Sequence, residues 1–183
     1  RSDARERTEL AAALSHAMSV GSIGVEYQPI FSTVSRTPVA AEALVRWVHP
    51  TLGNVDTATL ISVAEESGTI GRLGELVLDR SMRDLSGGME RGVTTRDVSV
   101  HVNVSRIQLA SSTFVGLVLD RLERYQLDPG QLVLEARESP LLSHETEVVR
   151  SIRALRRAGV QIAVDNFGTG SRALAVLTDV GAD

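Results

Sequence analysis

No cysteine occurs anywhere in the chain. Disulfides and thiolate metal sites are excluded, and the composition fits a reducing compartment. Aromatic residues make up only 3% of the sequence, so the stacking platforms that bind single-stranded nucleic acid are scarce. Positive charge is not in excess: 19 Lys and Arg stand against 23 Asp and Glu, a net charge of −4. A binder of nucleic-acid backbones carries the opposite balance, whereas a small phosphate ligand held locally is allowed. No apolar run approaches the ~18 residues that cross a bilayer, and no signal peptide opens the chain. The first residues, RSDARERTEL, include no initiator Met and read as a domain boundary. What is present is 183 residues, 43% of them hydrophobic, enough for one sizeable core.

Periodicity divides the chain into alternating elements. Leu10, Leu14 and Met18 fall at helical spacing, so residues 1–20 read as a lead-in helix or linker from an upstream domain, with the main domain over 21–183. GVEYQPIF (24–31) reads as a strand stopped at Pro29. TPVAAEALVRWVHP (37–50) reads as a second strand, closed by Pro50 and a turn at Gly53-Asn54. Asp56 or Thr57 caps a helix that Gly68 ends. A further helix is expected from Leu73 to Leu85, broken by Gly87-Gly88. VSVHVNVS, QLVLEARES and VQIAVDN then read as three strands separated by helical faces at Phe114–Tyr125 and Val148–Leu155.

This is β-α-β-α-β at about 30 residues per unit. Asn103, Glu135 and Asp165 are spaced 32 and 30 residues apart, each near the C-terminal end of its strand. Parallel β/α folds gather their sites at that edge. Glu42, read as lying near the end of its own strand, joins them. Three carboxylates and one amide oxygen form a hard donor set suited to Mg²⁺, Mn²⁺ or Ca²⁺ and poor for zinc. Clustered carboxylates repel one another unless a cation neutralises them. Asp165-Asn166 opens the glycine-rich turn FGTG, and a hard cation beside such a loop suggests phosphate chemistry. Arg46 lies on the face of Glu42 by alternation. Two readings of it stand at this point: a grip on a phosphate oxygen, or a salt bridge within the acid cluster. His101, two residues before Asn103, reads as packing and not as a ligand.

These residues together resemble the EAL domain, the bacterial phosphodiesterase family that acts on cyclic di-GMP. The motifs are YQPIF (27–31), EALVRW (42–47), AEESGTIGRLG (64–74), VNVS (102–105), LEARES (134–139) and DNFGTG (165–170), in family order over about residues 8–183. The resemblance implies an α/β fold, a TIM-like (β/α)₈ barrel with its first strand antiparallel, of which this chain holds the N-terminal two-thirds to three-quarters. It implies that Glu42, Asn103, Glu135 and Asp165 are metal ligands, and that Gln28 and Arg46 contact the dinucleotide with Leu44 lining the pocket. Glu138 resembles the glutamate that braces the loop after Asp165. The implied cofactor is Mg²⁺ or Mn²⁺, with Ca²⁺ an inhibitor or substitute. The implied product is pGpG, the location the bacterial cytoplasm, and the partners a second EAL domain and an upstream sensor or GGDEF domain.

Three departures from the family pattern bear on activity. Asn166 stands where the family has its second aspartate, which serves a second metal. Arg137 replaces a small Thr, and Ser171-Arg172 replaces Tyr-Ser. The family's catalytic Lys, a further Glu and a late Gln are not found before Asp183, against ~250 residues for a full barrel. The expectation is therefore a cyclic di-GMP phosphodiesterase domain impaired in catalysis. The alternative is an inactive module that senses the dinucleotide or mediates protein interaction.

Overall fold

The computed structural model describes residues 2–137 and 146–165, without the side chains of 2–5, 137 and 165. In chain order the elements are α1 (Ser2–Ser19), β1 (Ile23–Phe31), β2 (Pro38–His49), β3 (Gly53–Val55), α2 (Thr57–Glu66), α3 (Ile70–Glu90), β4 (Ser99–Val104), α4 (Arg106–Leu109), α5 (Phe114–Arg124), a 3₁₀ turn (Pro129–Gln131), β5 (Leu132–Arg137), α6 (Thr146–Arg157) and β6 (Gln161–Asp165). The sheet runs β1-β2-β4-β5-β6, with β3 a short flap on β2. β1 is antiparallel to β2, and β2, β4, β5 and β6 are parallel. The parallel β/α sheet with an antiparallel first strand agrees with the sequence reading.

Alternation in the strands decides which way each residue faces. Ala43, Val45 and Trp47 of β2, Val100, Val102 and Val104 of β4, and Leu132, Leu134 and Ala136 of β5 are all buried. They pack under the apolar stripes of the helices: Leu73, Leu78 and Met82 of α3, Val118 and Leu122 of α5, and Ile152 and Leu155 of α6. Each such side chain contributes about 1.5–3 kcal/mol of transfer free energy, so this face carries the stability. The other face bears Gln28, Glu42, Leu44, Arg46, His101, Asn103 and Glu135.

Four boundaries differ from expectation, each for a local reason. Pro29 does not stop β1, which continues to Phe31. Among the described residues β1 is an outer strand, where a missing N–H costs no ladder bond on the unpaired side. Gly53-Asn54 is not the turn but the start of β3, which pairs back on β2; the turn lies at Pro50–Leu52. The pair Gly87-Gly88 does not break α3, which runs to Glu90. Two glycines cost a helix interior about 2 kcal/mol, less than the stripe of buried side chains α3 contributes. The chain turns at Gly92, whose φ of +68° suits glycine. Finally, Glu42 is not at a strand end: β2 extends seven residues past it, to His49.

β1 is fastened to α3 by Tyr27, whose hydroxyl donates to Asp84 Oδ2 at 2.9 Å. Burial first, then this bond and the Asp84 charge, push the Tyr27 hydroxyl well above the ordinary tyrosine range. Asp56 caps α2, accepting from the Ala58 amide at 2.9 Å, and Gly68 follows that helix at a φ of +69°.

Gly74 of α3 marks a close approach. A Cβ there would lie 2.0 Å from Gln108 Nε2 and 2.5 Å from its Cδ. Gln108 cannot step aside freely, because its Oε1 accepts from the Ser105 amide at 3.0 Å and the Ser105 hydroxyl at 2.8 Å. Gly74→Ala is therefore expected to destabilise the domain by about 1–3 kcal/mol, as overpacking does. Gly71→Ala, with nothing within 4 Å of its Cβ, should leave the melting temperature unchanged or slightly raised. Thermal denaturation of the two variants measures the difference, and equal melting temperatures would contradict the packing argument.

Candidate functional site

Strand register determines which polar side chains meet. Glu42 of β2 pairs with His101 of β4, and Asn103 of β4 pairs with Glu135 of β5. Glu135 pairs with Ala163 of β6, two residues before Asp165. From Glu42 to Asn103 the row climbs two residues, to Glu135 none, and to Asp165 two more. That slant is what the tilt of strands in a β/α barrel produces.

Two hydrogen bonds run along the slant. Asn103 Nδ2 donates to Glu42 Oε1 at 3.0 Å. His101 Nδ1 meets Glu135 Oε1 at 2.6 Å. An ionised carboxylate can only accept, so in the second contact the imidazole carries the proton on Nδ1. Each carboxylate is thus held by a donor from a neighbouring strand.

Above this row opens a cavity of about 540 Å³, within the range of small-molecule sites. Its walls include Glu42, Leu44, Asn103 and Glu135 from the strands, Thr57 and Ile61 from α2, and Leu73 and Gly74 from α3. Arg46 stands at its rim. Its Nε donates to Glu26 Oε2 at 2.8 Å, and one guanidinium nitrogen reaches Val45 O at 3.1 Å and Thr57 Oγ1 at 3.4 Å. Of the two readings of Arg46, the ion pair is real but lies with Glu26, outside the acid row. Gln28 pairs with Glu42 across β1 and β2 and is exposed.

The structure thus gathers Glu42, Asn103 and Glu135 on one face. Asp165 closes β6, its backbone paired with Arg137. Glu138, Asn166 and the FGTG turn lie outside the described residues. Among the described residues, no three His, Cys, Asp or Glu side chains come close enough to hold a metal by themselves. No helix among them is long and apolar enough to cross a membrane.

Two features went unread in the sequence. His101 is not mere packing; it is the polar partner of Glu135. The signal was available, since V-H-V-N-V puts His101 and Asn103 on one face. The second is the capping box of α4, in which Ser105 and Gln108 bond reciprocally. S-x-x-Q directly after the strand is its sequence signature. It fixes the turn that follows Asn103.

A parallel β/α sheet with carboxylates and an amide gathered over a cavity at its C-terminal side defines a barrel-type domain with a hard-donor site. Comparison with known proteins carries this further. A family model described as EAL domain matches residues 11–183, and the chain belongs to that family. It is 37% identical over 175 residues to the protein y4lL of Sinorhizobium fredii, covering 96% of this chain and 20% of that protein. It is 31% identical to the bifunctional diguanylate cyclase/cyclic di-GMP phosphodiesterase MucR of Pseudomonas aeruginosa, covering 96% of this chain and 25% of that one. The chain thus spans a fifth to a quarter of the length of these relatives. A solved structure of the PaMucR phosphodiesterase in complex with c-di-GMP superposes with a TM-score of 0.88 at 31% identity, over 96% of this chain and 70% of that one. The expected fold, the EAL barrel, is the fold found.

The Arg46–Glu26 pair is well exposed, at 40% and 70% of the two side chains, so solvent screens it. Arg46→Ala is expected to change stability by no more than about 0.5 kcal/mol, measured by thermal denaturation. A larger loss would make Arg46 a structural residue and not one free to serve a ligand.

Proposed function

We propose that this chain is the cyclic di-GMP site of an EAL-type signalling protein, binding the dinucleotide with a divalent cation and hydrolysing it slowly. The observation that carries the reading is the row Glu42–Asn103–Glu135, lying on one face under a cavity of about 540 Å³. MucR, a cyclic di-GMP phosphodiesterase by name, supports it through family and fold.

The donor set fits a hard cation. Glu42 and Glu135 offer carboxylate oxygens. Asn103 gives its Nδ2 to Glu42, which leaves its Oδ1 for a cation. Asp165, at the end of β6, completes the set in this reading, and Mg²⁺ or Mn²⁺ is the cation. When bound, such an ion lowers the pKa of a water and offsets charge on the phosphate oxygens. The protein's own part is placement. Gln28 and Arg46 contact the dinucleotide, Leu44 lines the pocket, and Glu138 braces the loop after Asp165. Arg46 would exchange Glu26 for a phosphate oxygen, trading one screened ion pair for a charge-assisted bond at the ligand.

Asn166 shifts the balance from turnover to binding. A neutral amide where the family has a carboxylate holds a second cation less well, while the other donors are unaffected. The same domain would then sense the dinucleotide more than consume it. Pairing of two EAL domains, and an upstream sensor or cyclase region like the one in MucR's name, belong to this reading, as does a cytoplasmic site of action.

The test is pGpG production with Mg²⁺ or Mn²⁺ alongside calorimetric binding of cyclic di-GMP, for the unaltered protein and for Asn166→Asp. We expect binding by both and a rate gain on the order of 10² in the variant, the size of one electrostatic stabiliser. Fast turnover by the unaltered protein would refute the impairment. Absence of binding by either would refute the reading as a whole.

A further inference from the structure

The donor that holds Glu135 belongs to a residue outside the ligand set. His101 and Glu135 are 19% and 17% exposed in their side chains, so their 2.6 Å contact is sheltered from competing water. Glu135 lines the cavity, whereas His101 is not among its walls. The imidazole therefore sits behind the carboxylate as seen from the cavity. It takes Oε1 and leaves Oε2 with no bond among the described residues.

We propose that His101 is a positioning residue for Glu135: its Nδ1–H fixes one carboxylate oxygen so that the other meets a divalent cation in a set orientation. The inference rests on the metal reading above. A glutamate side chain loses appreciable rotamer freedom when it is fixed. Where a neighbour has already removed that freedom, metal binding does not carry the full cost. Outer hydrogen bonds of this kind change metal affinity by about 10–100-fold in other proteins. Asn103 does the same for Glu42 from the adjacent strand, along the same diagonal of the sheet. The difference is that Asn103 also lines the cavity, whereas His101 acts only through Glu135.

The experiment is a Mn²⁺ titration of the full chain, followed by calorimetry and by the electron paramagnetic resonance of free Mn²⁺. It compares the unaltered protein with His101→Ala and His101→Asn. The asparagine amide reaches close to where imidazole Nδ1 stands and can donate in its place. We expect His101→Ala to weaken Mn²⁺ binding on the order of tenfold, and His101→Asn to restore most of the loss. Thermal melts accompany each titration, because a merely structural role would lower stability in both variants without this rescue. Unchanged affinity in His101→Ala would overturn the inference alone, as would an asparagine variant that stays folded yet binds as weakly as the alanine one. Failure of the unaltered protein to bind Mn²⁺ would overturn the metal reading and the inference with it.

Discussion

Parallel pairing of β2, β4, β5 and β6 is the constraint on which everything else depends. A register slip of one residue would send every side chain to the opposite face. Val100, Val102 and Val104 would leave the core, and His101 and Asn103 would enter it under the helices. The apolar face therefore enforces the polar one. The stability gained by burying valines and leucines also sets Asn103 level with Glu135 and Glu42 level with His101. The slanted row of polar groups follows from packing, at no separate conformational cost.

Electrostatics then explains how such a row is tolerated. Two carboxylates on neighbouring strands would repel if they stood bare. Each instead accepts a hydrogen bond along the slant, Glu42 from an amide and Glu135 from an imidazole. The lone cation at the rim, Arg46, is occupied by Glu26, a partner on an exposed edge that an anionic ligand can displace. The site is poised, with its acids oriented and its arginine only weakly committed. Gln108, wedged against Gly74 and tied to Ser105, fixes the turn just after Asn103, so both neighbours of that residue are constrained.

Much of this was legible in the sequence. Strand alternation gave β4, the 30-residue recurrence gave the repeating β/α units, and the motif order pointed to the family. Boundaries failed where context overrode local chemistry: Pro29 on an outer strand, Gly53 inside a hairpin, and Gly87-Gly88 in a helix held by its buried stripe. Glu42 was misplaced along its strand because β2 outlasts its pairing with β4, which covers only Ala40–Ala43. The His101–Glu135 bond was missed because it joins residues 34 apart in sequence. Only the register of two strands brings them together, and no local pattern encodes it. The Glu26–Arg46 pair was missed for the same reason, across a hairpin.

The account's central claim is that Glu42, Asn103 and Glu135 form one oxygen-donor row that takes a divalent cation under the cavity. Anomalous diffraction from crystals soaked in millimolar Mn²⁺ tests it most directly. The account predicts a peak bounded by these three side chains and the end of β6. A Mn²⁺ peak elsewhere on the molecule, with this row bare, would contradict it.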